Sequence, residues 1–192
     1  AEDGVAFASG MGAVFASLAA LVRAGDHVVA SRALFGSTHQ LLTQLLPRWG
    51  VTSAYVDPDA PPEAWEAAVG PATKVVFVET PSNPGLALID LAWLGAFCRR
   101  RGVTLVVDNC FTTPLLQQPI RHGAHLVVHS ATKFIDGQGR VLGGAVVGDA
   151  ARVAELRRFA RHTGPALAPF NAWVLSKSLE TLAVRMERHC AN

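Results

Sequence analysis

The sequence lacks the features that mark membrane, nucleic-acid-binding and secreted proteins. Every apolar run is broken by Gly, Pro or a charged residue well short of the roughly 18 residues that span a bilayer. The 17 Lys and Arg are interspersed with 15 Asp and Glu, so there is no basic stripe for nucleic acid or a membrane surface. The first residues carry no basic segment before an apolar one, and no signal peptide is expected.

Cysteine is also scarce. Cys98, Cys110 and Cys190 are odd in number and far apart, without the spacing of a metal site or a redox pair. We therefore predict no disulfide framework, no metal site and a reducing, cytoplasmic location. Neither terminus carries a clear boundary signal, and both ends are interpreted as cut within a longer pattern.

What the sequence does contain is an alternation of short apolar runs with amphipathic segments. Half of the 192 residues are hydrophobic, which is sufficient for one sizeable core. The predicted strands lie at 5–8, 28–30, 52–56, 74–78, 103–107, 124–128 and 145–147. Helical patterns separate most of them, which predicts an α/β fold with a mainly parallel sheet and helices on both faces.

Polar residues follow several of these strands. Ser9-Gly10-Met11, Asn83, Asp108 and the group Ser130, Thr132 and Lys133 all come where an apolar run ends. The carboxyl ends of parallel strands share one edge of a sheet, where α/β proteins bind ligands. We therefore expect these residues to form one site, with the helix that starts after Ser9 offering free N–H groups to a phosphate.

These residue types suit one cofactor. A lysine can form a Schiff base with an aldehyde, hydroxyl and N–H groups can hold a phosphate, and an aspartate can keep a ring nitrogen protonated. These are the requirements of pyridoxal 5'-phosphate. Taken singly, Lys133 could be a solvated lysine, Asp108 a turn cap and Asn83 a turn residue.

Other features are given plainer interpretations. The glycine-rich segment at 137–144 has Leu142 where a dinucleotide-binding fingerprint needs glycine, which disfavours a nicotinamide site. His129 and Cys110 adjoin the site, and we expect packing roles for both. The basic run at 157–162 is interpreted as a solvated helix face.

Several ordered motifs resemble a known family. VVDNCFTTP at 106–114 and HSATK at 129–133 resemble the pyridoxal-phosphate enzymes of cysteine and methionine metabolism, which include cystathionine γ-synthase, the cystathionine lyases and methionine γ-lyase. SGM at 9–11, LFG at 34–36 and ETPSNP at 79–84 match further family motifs. Within the family, IDGQGRVLGG at 135–144 looks most like the sulfhydrylases that act on O-succinylhomoserine.

The resemblance implies a fold and a role for each matching residue. The fold would be the large cofactor-binding domain of aspartate-aminotransferase-like (fold type I) enzymes. Lys133 would form the Schiff base and Asp108 would pair with the pyridinium nitrogen. Phe35 would stack on the ring where the lyases carry a tyrosine, which removes a phenol. The remaining cofactor contacts would be Gly10, Met11, Ser130 and Thr132 at the phosphate, Asn83 near the ring oxygen, and Thr112 or Thr113 near the ring.

The resemblance also implies an activity and partners. It implies γ-replacement on an O-acylhomoserine, with O-succinylhomoserine and sulfide giving homocysteine in methionine biosynthesis. The alternatives are γ-synthase or γ-lyase chemistry on the same scaffold, or a cofactor-binding fragment without turnover. Family members are longer, with an N-terminal arm and a C-terminal domain, so residues 1–192 are expected to be a core truncated at both ends. A homo-oligomer built as a dimer of dimers is expected by the same resemblance.

Overall fold

Seven strands form a single sheet in the computed structural model, which describes all 192 residues. In chain order they are β1 (Asp3–Phe7), β2 (His27–Ser31), β3 (Thr52–Val56), β4 (Thr73–Glu79), β5 (Thr104–Asp108), β6 (Leu126–Ser130) and β7 (Gly144–Gly148). The spatial order is β1-β7-β6-β5-β4-β2-β3, and only β7 runs against its neighbours. The predicted mainly parallel sheet is confirmed.

Eight α-helices connect or flank the strands. They are α1 (Gly10–Ala19), α2 (Gly36–Gln40), α3 (Pro62–Ala68), α4 (Leu91–Arg101), α5 (Thr113–Leu116), α6 (Ala150–Thr163), α7 (Pro169–Leu179) and α8 (Leu182–Ala191). Side chains cap three of them, because Ser9, Asp90 and Asp149 each accept an N–H of the first turn. None is long and apolar enough to cross a membrane.

The sequence pattern missed some local details. The helical segment that begins with α2 at Gly36 changes at Leu41 into a π-helical turn and then, from Leu46, into a 3₁₀ turn with Pro47 in its first turn, and the sequence pattern does not distinguish these three forms. The short α5 and the 3₁₀ turn Pro119–His122 were not predicted, because segments of four residues are too short to show a helical period.

The core lies on both faces of the sheet. Val106 packs with α1 and α6 on one face, whereas its neighbours Leu105 and Val107 pack with α4 on the other. This alternation explains why the central strands are apolar at nearly every position. Because side chains alternate, Asp108 and Val106 point to the same face, the one that α1 covers.

The carboxyl ends of the strands meet at one edge. Glu79 is paired with Asp108 across β4 and β5, and Gly144 is paired with both Phe7 and Ser130. A Cβ at Gly144 would collide with the carbonyl oxygen of Ser9, so a glycine is needed for the start of α1 to approach the sheet this closely. The chain folds so that α1 begins beside the end of β6 and the start of β7.

Candidate active site

A cavity of about 340 Å³ opens at this edge. It contains the predicted site residues Gly10, Met11, Phe35, Asn83, Asp108, Ser130, Thr132 and Lys133. Four separate strand ends and the loop before α2 contribute to it, so residues far apart in the sequence share one wall. The predicted convergence is therefore present in the structure.

One end of the cavity is formed by the first turn of α1. Ser9 caps this helix by accepting the N–H of Gly12 at 3.0 Å. The N–H groups of Gly10 and Met11 lie in the first turn, where a helix supplies no acceptor of its own. A Cβ at Gly10 would stand 2.6 Å from the hydroxyl oxygen of Ser130, so the first residue of α1 lies beside that hydroxyl. Together they form a cradle for an anion.

Thr132 closes the same end. Its hydroxyl donates to the carbonyl of Gly143 at 3.2 Å and accepts the Gly143 N–H at 3.1 Å. This pair of hydrogen bonds fixes the threonine side chain and ties the lysine loop to the segment that leads into β7.

Asp108 lies at the floor of the cavity. It is buried, its Oδ1 accepts the N–H of Cys110 at 3.1 Å, and it makes no ion pair within the chain. Burial raises the pKa of this carboxyl, and hydrogen bonds from Cys110 oppose the rise. A buried carboxylate without a cation is unfavourable until a positive group faces it. A protonated ring nitrogen would be such a group.

Cys110 also lines the cavity. Its Sγ accepts the N–H of Ser130 at 2.8 Å, and its backbone N–H donates to Oδ1 of Asp108 at 3.1 Å. Burial, with the negative charge of Asp108, raises the pKa of the thiol, so it stays protonated. Cys110 therefore connects Asp108, through its backbone N–H, to Ser130, through its Sγ, consistent with a packing role.

Glu79 is a cavity residue that the sequence reasoning missed. Its Oε2 accepts the N–H of Phe35 at 2.6 Å and its Oε1 accepts the N–H of Asn83 at 3.0 Å. Burial, followed by the charge of Asp108, raises its pKa to about 7. The available signal was its position as the last residue of an apolar strand, like Asp108. The sequence does not reveal that these two strands are neighbours.

Lys133 stands on the turn after β6 with an exposed side chain. It borders the first cavity and also a second one of about 420 Å³, which extends towards Phe134 and His189. Glu79, Asn83 and Cys110 border both cavities too. The lysine is thus placed between a pocket of cofactor size and an adjoining open space.

Two residues near the site lie outside the cavity. The hydroxyl of Thr112 donates to Oδ1 of Asn109 at 2.7 Å, and this side chain does not line the wall. His129 alternates with Ser130 on β6 and therefore points to the opposite face. Burial lowers the pKa of His129 to about 4, which keeps the imidazole neutral. Its geometry fits the packing role expected from the sequence.

Comparison with known proteins gives relatives over the whole chain. O-succinylhomoserine sulfhydrylase of Pseudomonas aeruginosa is 50% identical over 192 residues, which are 100% of this chain and 47% of that protein. The enzyme of the same name from Mycobacterium tuberculosis is 51% identical over 188 residues, 97% of this chain and 46% of that one. L-methionine gamma-lyase of Pseudomonas putida is 44% identical over 193 residues, an alignment that covers 100% of this chain and 48% of the lyase.

The fold has a close structural match. The crystal structure of metB from Corynebacterium glutamicum superposes with a TM-score of 0.96 at 40% identity, covering 100% of this chain and 50% of that one. The chain thus spans about half the length of the relatives it matches. The match confirms the expected fold class.

The family model for "Cys/Met metabolism PLP-dependent enzyme" matches residues 1–192. This match confirms both the resemblance seen in the motifs and pyridoxal phosphate as the family's cofactor. Because the match extends over every residue, the chain belongs to the family of PLP-dependent enzymes of cysteine and methionine metabolism.

Proposed function

We propose that this chain is the cofactor-binding unit of an enzyme that replaces the succinyloxy group of O-succinylhomoserine with sulfide. The carbon–oxygen bond at the γ-carbon breaks, a carbon–sulfur bond forms, and homocysteine and succinate are released. The observation that carries the proposal is the convergence of Lys133, Asp108 and the α1 anion cradle in one cavity. The identity of 50% to a protein named O-succinylhomoserine sulfhydrylase supports the choice of substrate.

The cavity provides a contact for each part of pyridoxal phosphate. The N–H groups of Gly10 and Met11 and the hydroxyl of Ser130 suit the phosphate, whose two negative charges also favour a helix N-terminus. The hydroxyl of Thr132 would join them by turning its proton from the carbonyl of Gly143 to the phosphate. The unpaired Asp108 suits the ring nitrogen. The remaining proposed contacts are Phe35 on the ring face, Asn83 at the ring oxygen and Lys133 at the aldehyde.

Each residue then has a task in the reaction. The bound cofactor supplies an aldehyde carbon that amines attack and a ring that accepts electrons. The free amine of Lys133 would take the proton from the substrate α-carbon and return it. Asp108 holds the proton on the ring nitrogen. Phe35 offers an aromatic surface without a phenol, so no proton transfer is assigned to it.

The acceptor separates this activity from its neighbours in the family. We would supply O-succinylhomoserine with either sulfide or cysteine and measure homocysteine and cystathionine, with Lys133→Ala as the inactive control. Homocysteine formed from sulfide supports the sulfhydrylase. Cystathionine from cysteine, with no homocysteine from sulfide, would show cystathionine γ-synthase chemistry instead. Release of methanethiol from methionine would show a lyase. Cofactor binding without any turnover would show a cofactor-binding fragment.

We also propose a homo-oligomer, built as a dimer of dimers, in the cytoplasm. Large apolar side chains remain exposed on α7, where Phe170 and Trp173 form a tilted aromatic pair with centroids 6.1 Å apart. Such exposed pairs are typical of surfaces covered by another subunit. The three cysteines are free, as expected in a reducing compartment. Light scattering on the purified chain tests the oligomeric state, and a monomer would contradict it.

A further inference from the structure

The turn that carries Lys133 is held by its own backbone hydrogen bonds. The N–H of Lys133 donates to the carbonyl of Ser130 at 3.2 Å, and the carbonyl of Lys133 accepts the N–H of Gly137 at 2.8 Å. The N–H of Asp136 donates to the carbonyl of Ala131 at 2.8 Å. These bonds close the turn on its inner side and leave the carbonyls of Phe134 and Ile135 facing outward.

Those two carbonyls are bound by one arginine from α8, 50 residues further along the chain. Nη1 of Arg185 donates to the carbonyl of Phe134 at 2.6 Å and Nη2 donates to the carbonyl of Ile135 at 3.1 Å. Nη2 also donates to the carbonyl of Ser178 at 2.9 Å, and Nε donates to the hydroxyl of Thr181 at 3.1 Å. A single planar guanidinium therefore joins the lysine turn to the connection between α7 and α8.

The turn is also shaped to fit this guanidinium. Gly137 has a φ of +75°, and a Cβ there would collide with Nη1 of Arg185. One helical turn beyond Arg185, the ring of His189 meets the ring of Phe134 edge-on, with centroids 5.2 Å apart. The helix itself is anchored by the buried side chains of Leu182 and Met186. Arg185 therefore projects from a helix that is packed against the rest of the fold.

A second, separate contact stabilises the far side of the turn. The carboxylate of Asp136 is fully buried, accepts the N–H of Arg140 at 2.7 Å and pairs with its Nε at 3.1 Å. This contact does not involve Arg185. Loss of Arg185 should therefore loosen residues 134 and 135 while leaving the turn closed at Asp136.

We propose that Arg185 is a positioning residue that sets the place of the Lys133 amine through the carbonyls of Phe134 and Ile135. The inference rests on the proposed attachment of pyridoxal phosphate to Lys133. Reacting groups must be held within a fraction of an ångström, and misplacement by about 1 Å costs roughly 10²-fold in rate. Arginine is required because a lysine ammonium cannot span acceptors arranged around a planar fork.

The test compares Arg185→Met and Arg185→Lys with Arg188→Met in the full chain. Arg188 lies on the same helix with an exposed side chain, so it is a matched control for charge and helix content. Pyridoxal phosphate is titrated into each protein and its absorbance is recorded against pH. Borohydride reduction followed by peptide mapping then measures the fraction attached at Lys133, and thermal unfolding reports the fold.

We expect Arg185→Met to weaken cofactor binding by about tenfold or more and to shift the pH midpoint of the lysine-bound absorbance. Arg185→Lys should lie between it and wild type, and Arg188→Met should match wild type. A folded Arg185→Met with unchanged affinity and midpoint would overturn the inference, even if its melting temperature fell. If Arg185→Met does not fold, the cofactor affinity and the pH midpoint of Arg185→Lys are compared with those of wild type instead. Unchanged values in a folded Arg185→Lys would then overturn the inference. Wild-type protein that attaches no cofactor at Lys133 would overturn the proposed function as well.

Discussion

Gly10 and Ser130 lie so close together that a Cβ on Gly10 would stand 2.6 Å from both Cβ and Oγ of the serine. This contact joins the first turn of α1 to the end of β6 and builds the anion cradle. No flexible side-chain end is available to move away, since the serine is short and its N–H is held by Cys110. The anion cradle therefore requires a glycine at position 10, because any other residue would place a Cβ against Ser130.

Gly10→Ala should damage the cradle more than the fold. Overpacking of this kind costs about 1–3 kcal/mol and pushes the helix start away from Ser130. We expect the affinity for pyridoxal phosphate to fall by about tenfold or more, measured by absorbance titration. Gly70→Ala is the control, because a Cβ at Gly70 meets nothing within 4 Å. Equal affinity in both variants would show that the contact does not matter for the cofactor.

Glu79→Gln should change how stability depends on pH. Burial raises the pKa of Glu79 from 4.5 to about 7 in the folded chain, so the protonated form is favoured on folding. The stability contributed by that proton is fully present below about pH 4.5 and is lost as the pH rises through about 7. The loss is on the order of 3 kcal/mol.

Urea unfolding of the cofactor-free chain at about pH 5 and about pH 8 measures this dependence. Wild type should lose stability between the two, and Glu79→Gln should lose clearly less. Glu66→Gln, an exposed change on α3, should behave like wild type. If the free energy of unfolding of Glu79→Gln still falls with pH as much as that of wild type, the group responsible for the fall is not Glu79.

Asp108→Asn should separate stability from cofactor binding. Burial disfavours the charged form of Asp108, so its folded-state pKa is raised and stability is lost as the pH rises. Removing the charge should raise the melting temperature of the cofactor-free chain at neutral pH. The same change would remove the anion that we propose faces the ring nitrogen, where a hydrogen bond to a charged group contributes about 1.5–3 kcal/mol. We therefore expect weaker cofactor binding. Tighter cofactor binding by Asp108→Asn would contradict the assignment.

Much of the fold and site could be predicted because it depends on local patterns. The strands ending in Asp108 and Ser130 are short apolar runs, and Ser9 is a typical helix cap before a helix. What escaped prediction depends on which strands are neighbours and on loops that meet in space. Glu79 lies beside Asp108 only because β4 pairs with β5, and Arg185 reaches the lysine turn from 50 residues away. Thr112 was predicted from its motif to contact the cofactor, but it does not line the cavity. Its hydroxyl donates to Oδ1 of Asn109 instead.

The proposed attachment of the cofactor to Lys133 can be measured directly in this chain. Only two other lysines are present, Lys74 and Lys177, and both are exposed. The chain is incubated with pyridoxal phosphate and reduced with borohydride, and the labelled peptide is identified by mass spectrometry. We expect a single label on Lys133, unchanged in Lys74→Ala and Lys177→Ala and absent in Lys133→Ala. A label on Lys74 or Lys177 in the wild-type protein, or none on Lys133, would contradict it.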